Sequence, residues 1–238
     1  KLDLIYNQLT EIDLSNNTQL TYLNIVNGTS LENSSLSSID VSKNTLLQEL
    51  YLQGNLLTAI DVSKNINLTK LLIPNNNLET IDVSNNLMLN TLSVSNNNLS
   101  SLNISMLESL LFLYTDGNNL HCVSVFDVEF ANQNWRTFAD ASTLFLNNCD
   151  DLVYVPDNLF EQKLIDLGYD DVLDDYVLKS NIENVTTLDL NYINIDDLTG
   201  LEAFTNLENL TIIDLSIDVL DLSGNKKLKI LNCSDNLL

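Results

Sequence analysis

Leucine, isoleucine and valine recur along this chain at fixed offsets that do not follow the 3.6-residue rhythm of amphipathic helices. Ile39, Ile60, Ile81 and Leu102 stand 21 residues apart, and around them runs the pattern LxxLxLxxNxL. Its copies are Leu47, Leu50, Leu52, Asn55, Leu57; Leu68, Leu71, Ile73, Asn76, Leu78; Leu89, Leu92, Val94, Asn97, Leu99; and Leu110, Leu113, Thr115, Asn118, Leu120. Leu2, Leu4, Asn7, Leu9 and Ile12 fit an earlier copy, and Leu20, Leu23 and Ile25 another. The gap of 27 between Ile12 and Ile39 places a six-residue insertion within Gly28 to Leu36. Each Leu-x-Leu predicts a short strand whose flanking apolar residues point to one side, and a fixed period predicts that the strands stack in parallel.

This pattern resembles the leucine-rich-repeat family over most of the chain. The resemblance implies an α/β-type repeat solenoid: a right-handed coil of 21–22-residue repeats with a concave parallel β-sheet, mostly strand and loop with few helices. The Asn after each strand then turns a tight corner, its amide bonding backbone groups that would otherwise be unpaired. The second half of a repeat reads Ile-Asp-Val-Ser-x-Asn, as in 60–65 and 81–86. Asp13, Asp40, Asp61 and Asp82 should stack outward at about one strand spacing, ~4.8 Å. Two readings of this row stay open: carboxylates that cap turns, or weak cation sites.

The pattern breaks after Leu120. The chain's one His, one Trp and one Arg (His121, Trp135, Arg136) and the pair Cys122 and Cys149 fall within 121–150, as expected of a cap over the end of a stacked core. A Cys122–Cys149 bridge would point to an oxidising compartment; two reduced buried thiols are the alternative. Cys233 occupies a repeat Leu position and reads as a small buried residue. From 155 to 168 the sequence predicts a helix with Asp157 as N-cap, Phe160, Leu164 and Leu167 on one face and Gly168 as C-cap. Asp170, Asp171, Asp174 and Asp175 follow without the spacing of an EF-hand loop, and predict a solvated face. Repeats resume at Leu188, with Ile193 and Leu215 in place of the corner Asn, which should interrupt the corner ladder. The expected organisation is a first repeat block over 1–120, a disulfide-closed cap over 121–150, a helical N-terminal cap over 151–184 and a second, truncated block over 185–238.

The stretches 155–182 and 188–210, with Leu231 to Asn236, resemble surface leucine-rich-repeat proteins of marine flavobacteria. That resemblance implies an extracellular or cell-surface setting. Both ends fall inside a repeat, so the chain reads as a fragment whose secretion signal or anchor lies elsewhere.

Composition narrows the partners. With 33 acidic against 10 basic residues, the net charge is −23, so nucleic acid is excluded as a partner and anionic membranes are disfavoured. No apolar run is long enough for membrane insertion. One His, no Gly-rich phosphate loop and no Cys/His metal spacing argue against an enzyme, and no cofactor is implied. What remains is the sheet face opposite the inward leucines. There the positions singled out for binding are Tyr22, Asn24, Tyr51, Gln53, Leu72, Phe112, Tyr114 and Asp116. Tyr and Phe anchor protein interfaces, stack on sugar rings or pack on neighbouring strands. Three readings follow: an adhesion module recognising a protein, a polysaccharide binder, and a structural spacer.

Overall fold

The computed structural model describes residues 1–7, 9–27, 35–191 and 193–238. The expected insertion lies outside them except for Ser35 and Leu36. The chain forms two compact units, Lys1–Cys149 and Asp150–Leu238.

In the first unit the strands are β1 (Leu2–Asp3), β2 (Tyr22–Asn24), β3 (Glu49–Tyr51), β4 (Lys70–Leu72), β5 (Thr91–Ser93), β6 (Leu102–Ile104), β7 (Phe112–Tyr114), β8 (Cys122–Val125) and β9 (Leu144–Leu146), with helix α1 at Val128–Asn134. All strand pairs are parallel. The main sheet runs β1-β2-β3-β4-β5-β7 and a second runs β6-β8-β9, neither closing on itself. Leu23, Leu50, Leu71, Leu92 and Leu113 are register partners and almost wholly buried. Their stacking, with Ile25, Leu52, Ile73 and Val94 beside them, makes one continuous core. This is the leucine-rich-repeat arrangement, in which no single coil has a core of its own.

Two asparagine ladders hold the coils together. At the strand corner, the Nδ2 of Asn55, Asn76, Asn97 and Asn118 donates to a carbonyl of its own coil and to one of the preceding coil. The Oδ1 of each accepts from a preceding-coil amide, Leu36, Leu57, Leu78 and Leu99 in turn. The residue before the corner Asn is left-handed wherever Tyr6, Gly54, Asn75, Asn96, Gly117, Asp214 or Asp235 occupies it, which favours Gly and Asn there. On the opposite side Val41, Val62 and Val83 are buried, whereas Ile39, Ile60 and Ile81 are only partly covered. Here Asn44, Asn65 and Asn86 donate to turn carbonyls of the preceding coil.

On this side the pattern does not end at Leu120. Leu102, Val123 and Phe145 are register partners in the second sheet, so the period passes into the segment expected to be cap alone. The main sheet does end at β7: the amides of Thr115 and Asp116 donate to the Phe138 carbonyl instead of to another strand. Over its end lies α1, N-capped by Asp127. Buried Trp135 donates from Nε1 to the Leu111 carbonyl at 3.0 Å and packs edge-on against Phe130 and Phe145. Arg136 donates to the carbonyls of Ala141 and Thr143. The disulfide joins Cys122 and Cys149.

The second unit opens with β10 (Leu152–Tyr154), α2 (Asn158–Asp166), β11 (Tyr176–Leu178) and the short helix α3 (Lys179–Ile182), and continues with β12 (Thr187–Asp189), β13 (Asn209–Thr211) and β14 (Ile230–Asn232). β10 pairs antiparallel with β11, while β12-β13-β14 form a parallel sheet. Asp157 caps α2 as expected, and Phe160 and Leu164 are buried, with Phe160 stacking on Phe204. Leu167 is 42% exposed, because the helix proper ends at Asp166. Gly168 follows in the left-handed region (φ 78°). The corner ladder is less broken than the sequence suggests, because Asn191 accepts from Ile213 and Asn236 from Leu215, both backbone amides. Leu215 itself turns into the core. Cys233 is free and only half-buried, because its neighbour β14 is an edge strand.

Candidate functional site

Strand pleating sends Leu23 and its register partners inward, so the residues on either side of each face outward. Register aligns these outward positions in two rows. One reads Tyr22, Glu49, Lys70, Thr91, Phe112; the other reads Asp3, Asn24, Tyr51, Leu72, Ser93, Tyr114.

Six of the eight positions singled out from sequence lie on these rows, and they gather into two clusters. In the first, the Tyr22 and Tyr51 rings are 5.4 Å apart and tilted. Asn24 Nδ2 donates to the Tyr22 hydroxyl at 3.2 Å, and Tyr51 donates to Glu49 Oε2 at 2.6 Å. Lys70 Nζ lies 3.6 Å from the other Glu49 oxygen, and Lys1 sits 4.3 Å over the Tyr22 ring. Burial, then the hydrogen bond to Glu49 and its charge, push the Tyr51 hydroxyl well above its ordinary pKa. Tyr51 is therefore a fixed, neutral donor across physiological pH.

In the second cluster Phe112 is 55% exposed, Tyr114 meets Phe138 edge-on at 4.9 Å, and the exposed Asp116 accepts from Ser95 Oγ at 2.6 Å. The clusters are three strand spacings apart, about 14 Å. Between them lie Leu72, half-buried, and the short side chains of Thr91 and Ser93. Gln53 is exposed beyond the end of β3 and joins neither cluster. The sequence did not single out Glu49, Lys70, Phe138 or Asp140 for this face. Asp140 accepts from the amides of Gly117 and Asn118 and so closes the last corner. Phe138 and Asp140 lie outside the repeat period, and only the fold of 121–150 brings them here.

The Asp row caps turns. Asp13, Asp40, Asp61 and Asp82 accept from the backbone amides of Ser15, Ser42, Ser63 and Ser84 at 2.8–2.9 Å, as Asp221 does from Ser223. Hydrogen bonds from the serine hydroxyl and amide hold all five carboxyls below the ordinary range. Asn103 makes the same bond to Ser105, so the position requires an acceptor and no charge.

The acidic stretch after α2 differs from the solvated face expected. Glu161 is fully buried and its Oε1 accepts from the Asp174 amide at 2.8 Å. Glu161 Oε2 and Asp170 Oδ2 are buried without a hydrogen-bond partner. Burial, together with the charges of Glu161, Asp174 and Asp171, pushes Asp170 up to about 6 against a hydrogen bond from the Asp171 amide. Burial also raises Glu161. The single signal in sequence was Glu161 itself, an acid next to Phe160 on the inward face of the helix. Also in this unit, Asp196, Asp197, Glu202, Asp218 and Asp221 line a hollow of about 450 Å³. Three of them are tied into local turns: Asp197 to Thr199, Glu202 to Gly200 and Asp221 to Ser223.

No family model and no curated protein sequence matches the chain. Among solved structures it is similar to the functional domain of InlJ from Listeria monocytogenes, which includes a cysteine ladder, at 23% identity over 96% of this chain and 47% of that one, with a TM-score of 0.45. It is also similar to the internalin inlF of Listeria monocytogenes, at 16% identity over 87% of this chain and 53% of that one (TM-score 0.32). A third likeness is to the LRIM1/APL1C complex, at 16% identity over 99% and 48% (TM-score 0.35). The chain spans about half the length of each of these solved chains. No described helix is long and apolar enough to cross a membrane.

Proposed function

We propose that the outer face of the main sheet in the first unit is a non-catalytic surface that recognises a protein partner. The chain is then part of an extracellular or cell-surface adhesion module of the flavobacterial kind that its sequence resembles. In this reading the coil is right-handed with repeats of 21–22 residues, its sheet face is concave, and 121–150 and 151–184 act as caps. The observation that carries it is Phe112, more than half exposed on a face whose opposite side alone builds the core. Folding gives no reason for a large apolar side chain there, whereas interfaces are enriched in such anchors. The ~14 Å between the clusters suits an extended contact with two anchor points.

A polysaccharide is the second reading, favoured by the Tyr22–Tyr51 pair with the Glu49 carboxylate and Asn24 amide beside it. Aromatic faces flanked by polar groups stack on sugar rings. Weak cation binding, in either reading, is confined to loose counter-ions along the hydrated Asp row.

A glycan array probed alongside adhesion to cells separates the readings. Protein recognition predicts no glycan signal, and adhesion impaired by Tyr51→Ala and by Tyr114→Ala. A specific glycan signal lost in those variants establishes the second reading. Unchanged adhesion in both variants leaves only a structural spacer.

A further inference from the structure

We infer that Glu161 and Asp170 form a calcium site in the second unit, under the loop that joins α2 to β11. This inference is independent of the sheet face. Glu161 lies in the first turn of α2, where a carboxylate ordinarily reaches into water, yet it is fully buried. One of its oxygens is used by the Asp174 amide; Oε2 has no partner, and neither has Asp170 Oδ2. A backbone-bonded loop brings the two together. Gly168 and Tyr169 donate to carbonyls at the end of α2, turning the chain at Asp170, and Asp174 accepts from the Tyr176 amide as β11 begins.

A carboxylate oxygen taken out of water without a donor or a cation is strongly disfavoured. Two such oxygens close enough to feel one another's charge compound the cost, and the Glu161 charge does act on Asp170. The three ion pairs among the described residues all lie elsewhere, at Lys1–Asp3, Lys70–Glu49 and Lys229–Glu208. A divalent cation satisfies both oxygens at once, and calcium suits an all-oxygen site of loose geometry better than magnesium does. No three His, Cys, Asp or Glu side chains among the described residues converge as a metal cluster. Two carboxylates are therefore the side-chain share, with backbone and water oxygens as the remainder, the make-up of a weak site of the extracellular class (Kd about 10⁻⁴ to 10⁻³ M).

The test uses the whole chain with calcium chloride, against sodium chloride at matched ionic strength and against a chelator. Binding is read by calorimetry and the site by hydrogen exchange across 158–178. The inference expects saturable binding of one calcium and slower exchange of that segment in the wild type, with affinity at least tenfold weaker in both Glu161→Gln and Asp170→Asn. Glu161→Gln keeps an acceptor for the Asp174 amide, and should it nevertheless unfold, Asp170→Asn carries the comparison. No calcium-dependent change in the wild type overturns the inference, as does a response that either folded variant keeps in full. That outcome would leave the pair as carboxyls that hold a proton, and would not touch the sheet-face reading.

Discussion

At the scale of single residues, the coils depend on amide side chains whose work is done entirely in the interior. Asn65 donates to the carbonyls of Val41 and Asn44, at 3.0 and 2.9 Å, and is fully buried. Alanine there leaves two buried acceptors without a donor, and each lost partner costs about 1–3 kcal/mol. Asn65→Ala is thus expected to lower the unfolding free energy by roughly 2–4 kcal/mol in urea titration; a loss below half a kcal/mol would mean that the ladder does not hold the coils. Gly54 presents a different constraint. Its φ is +70°, and a Cβ would fall 2.2 Å from the Asn27 carbonyl oxygen. Gly54→Ala must therefore shift backbone as well as accept an unfavourable φ, whereas Gly168, also left-handed, has open space around it. Differential scanning calorimetry should give Gly54→Ala much the larger fall in Tm. Equal falls would mean that φ alone matters.

At the scale of elements, the two places where helix meets repeat are held by specific ties. Asp157 Oδ1 accepts from Leu159 and Phe160 at the start of α2, and Oδ2 accepts from Asp196 and Asp197 ahead of β13. Burial acts to raise its pKa, but these four backbone bonds outweigh it and hold the carboxyl below the ordinary 3.8. A lowered folded pKa means that the contribution is complete above the unfolded value and is lost as pH falls through the folded one. Asp157→Asn puts an amide donor against backbone donors, and should cost about 2–3 kcal/mol at pH 7. The gap between wild type and variant should narrow as pH drops from 5 towards 3, read by urea unfolding at each pH; a gap that stays constant or widens would show that the carboxylate's charge is not what ties the elements. The second tie is the disulfide, which joins β8 to the end of the cap across 27 residues. Removing it with Cys122→Ser/Cys149→Ser should lower stability by roughly 3–4 kcal/mol in the chain-entropy view. Proteolysis should then begin within 126–148, and cleavage first in the main-sheet coils would contradict that account.

At the scale of the whole molecule, what could be read from the sequence follows from what repetition determines. Leu50, Leu71, Leu92 and Leu113 stack because a fixed period fixes register, and the same logic placed the corner Asn, the turn-capping Asp and the outward positions of the sheet. Where a residue's role depends on chain folding back from outside the period, the sequence is silent. Phe138 and Asp140 reach the sheet corner only through the cap, and Glu161 becomes buried only because the loop before β11 closes over it. The four carboxylates at 170–175 looked like surface for the same reason: nothing in their spacing records the burial of Glu161. Repetition also explains why Asn and Asp abundance carries little functional information here, since both ladders and turns use it. The outward aromatics are what folding leaves unexplained.

The most direct test of the sheet-face claim takes a partner recovered by adhesion and compares two alanine variants with the wild type. Phe112 and Met106 are similarly exposed, at 55% and 65%, but only Phe112 is on the main sheet. A surface anchored at Phe112 predicts that Phe112→Ala weakens Kd about tenfold or more with Tm unchanged, as expected of an interface anchor, while Met106→Ala binds as the wild type does. Equal affinity for Phe112→Ala and wild type, or a loss confined to Met106→Ala, would contradict it.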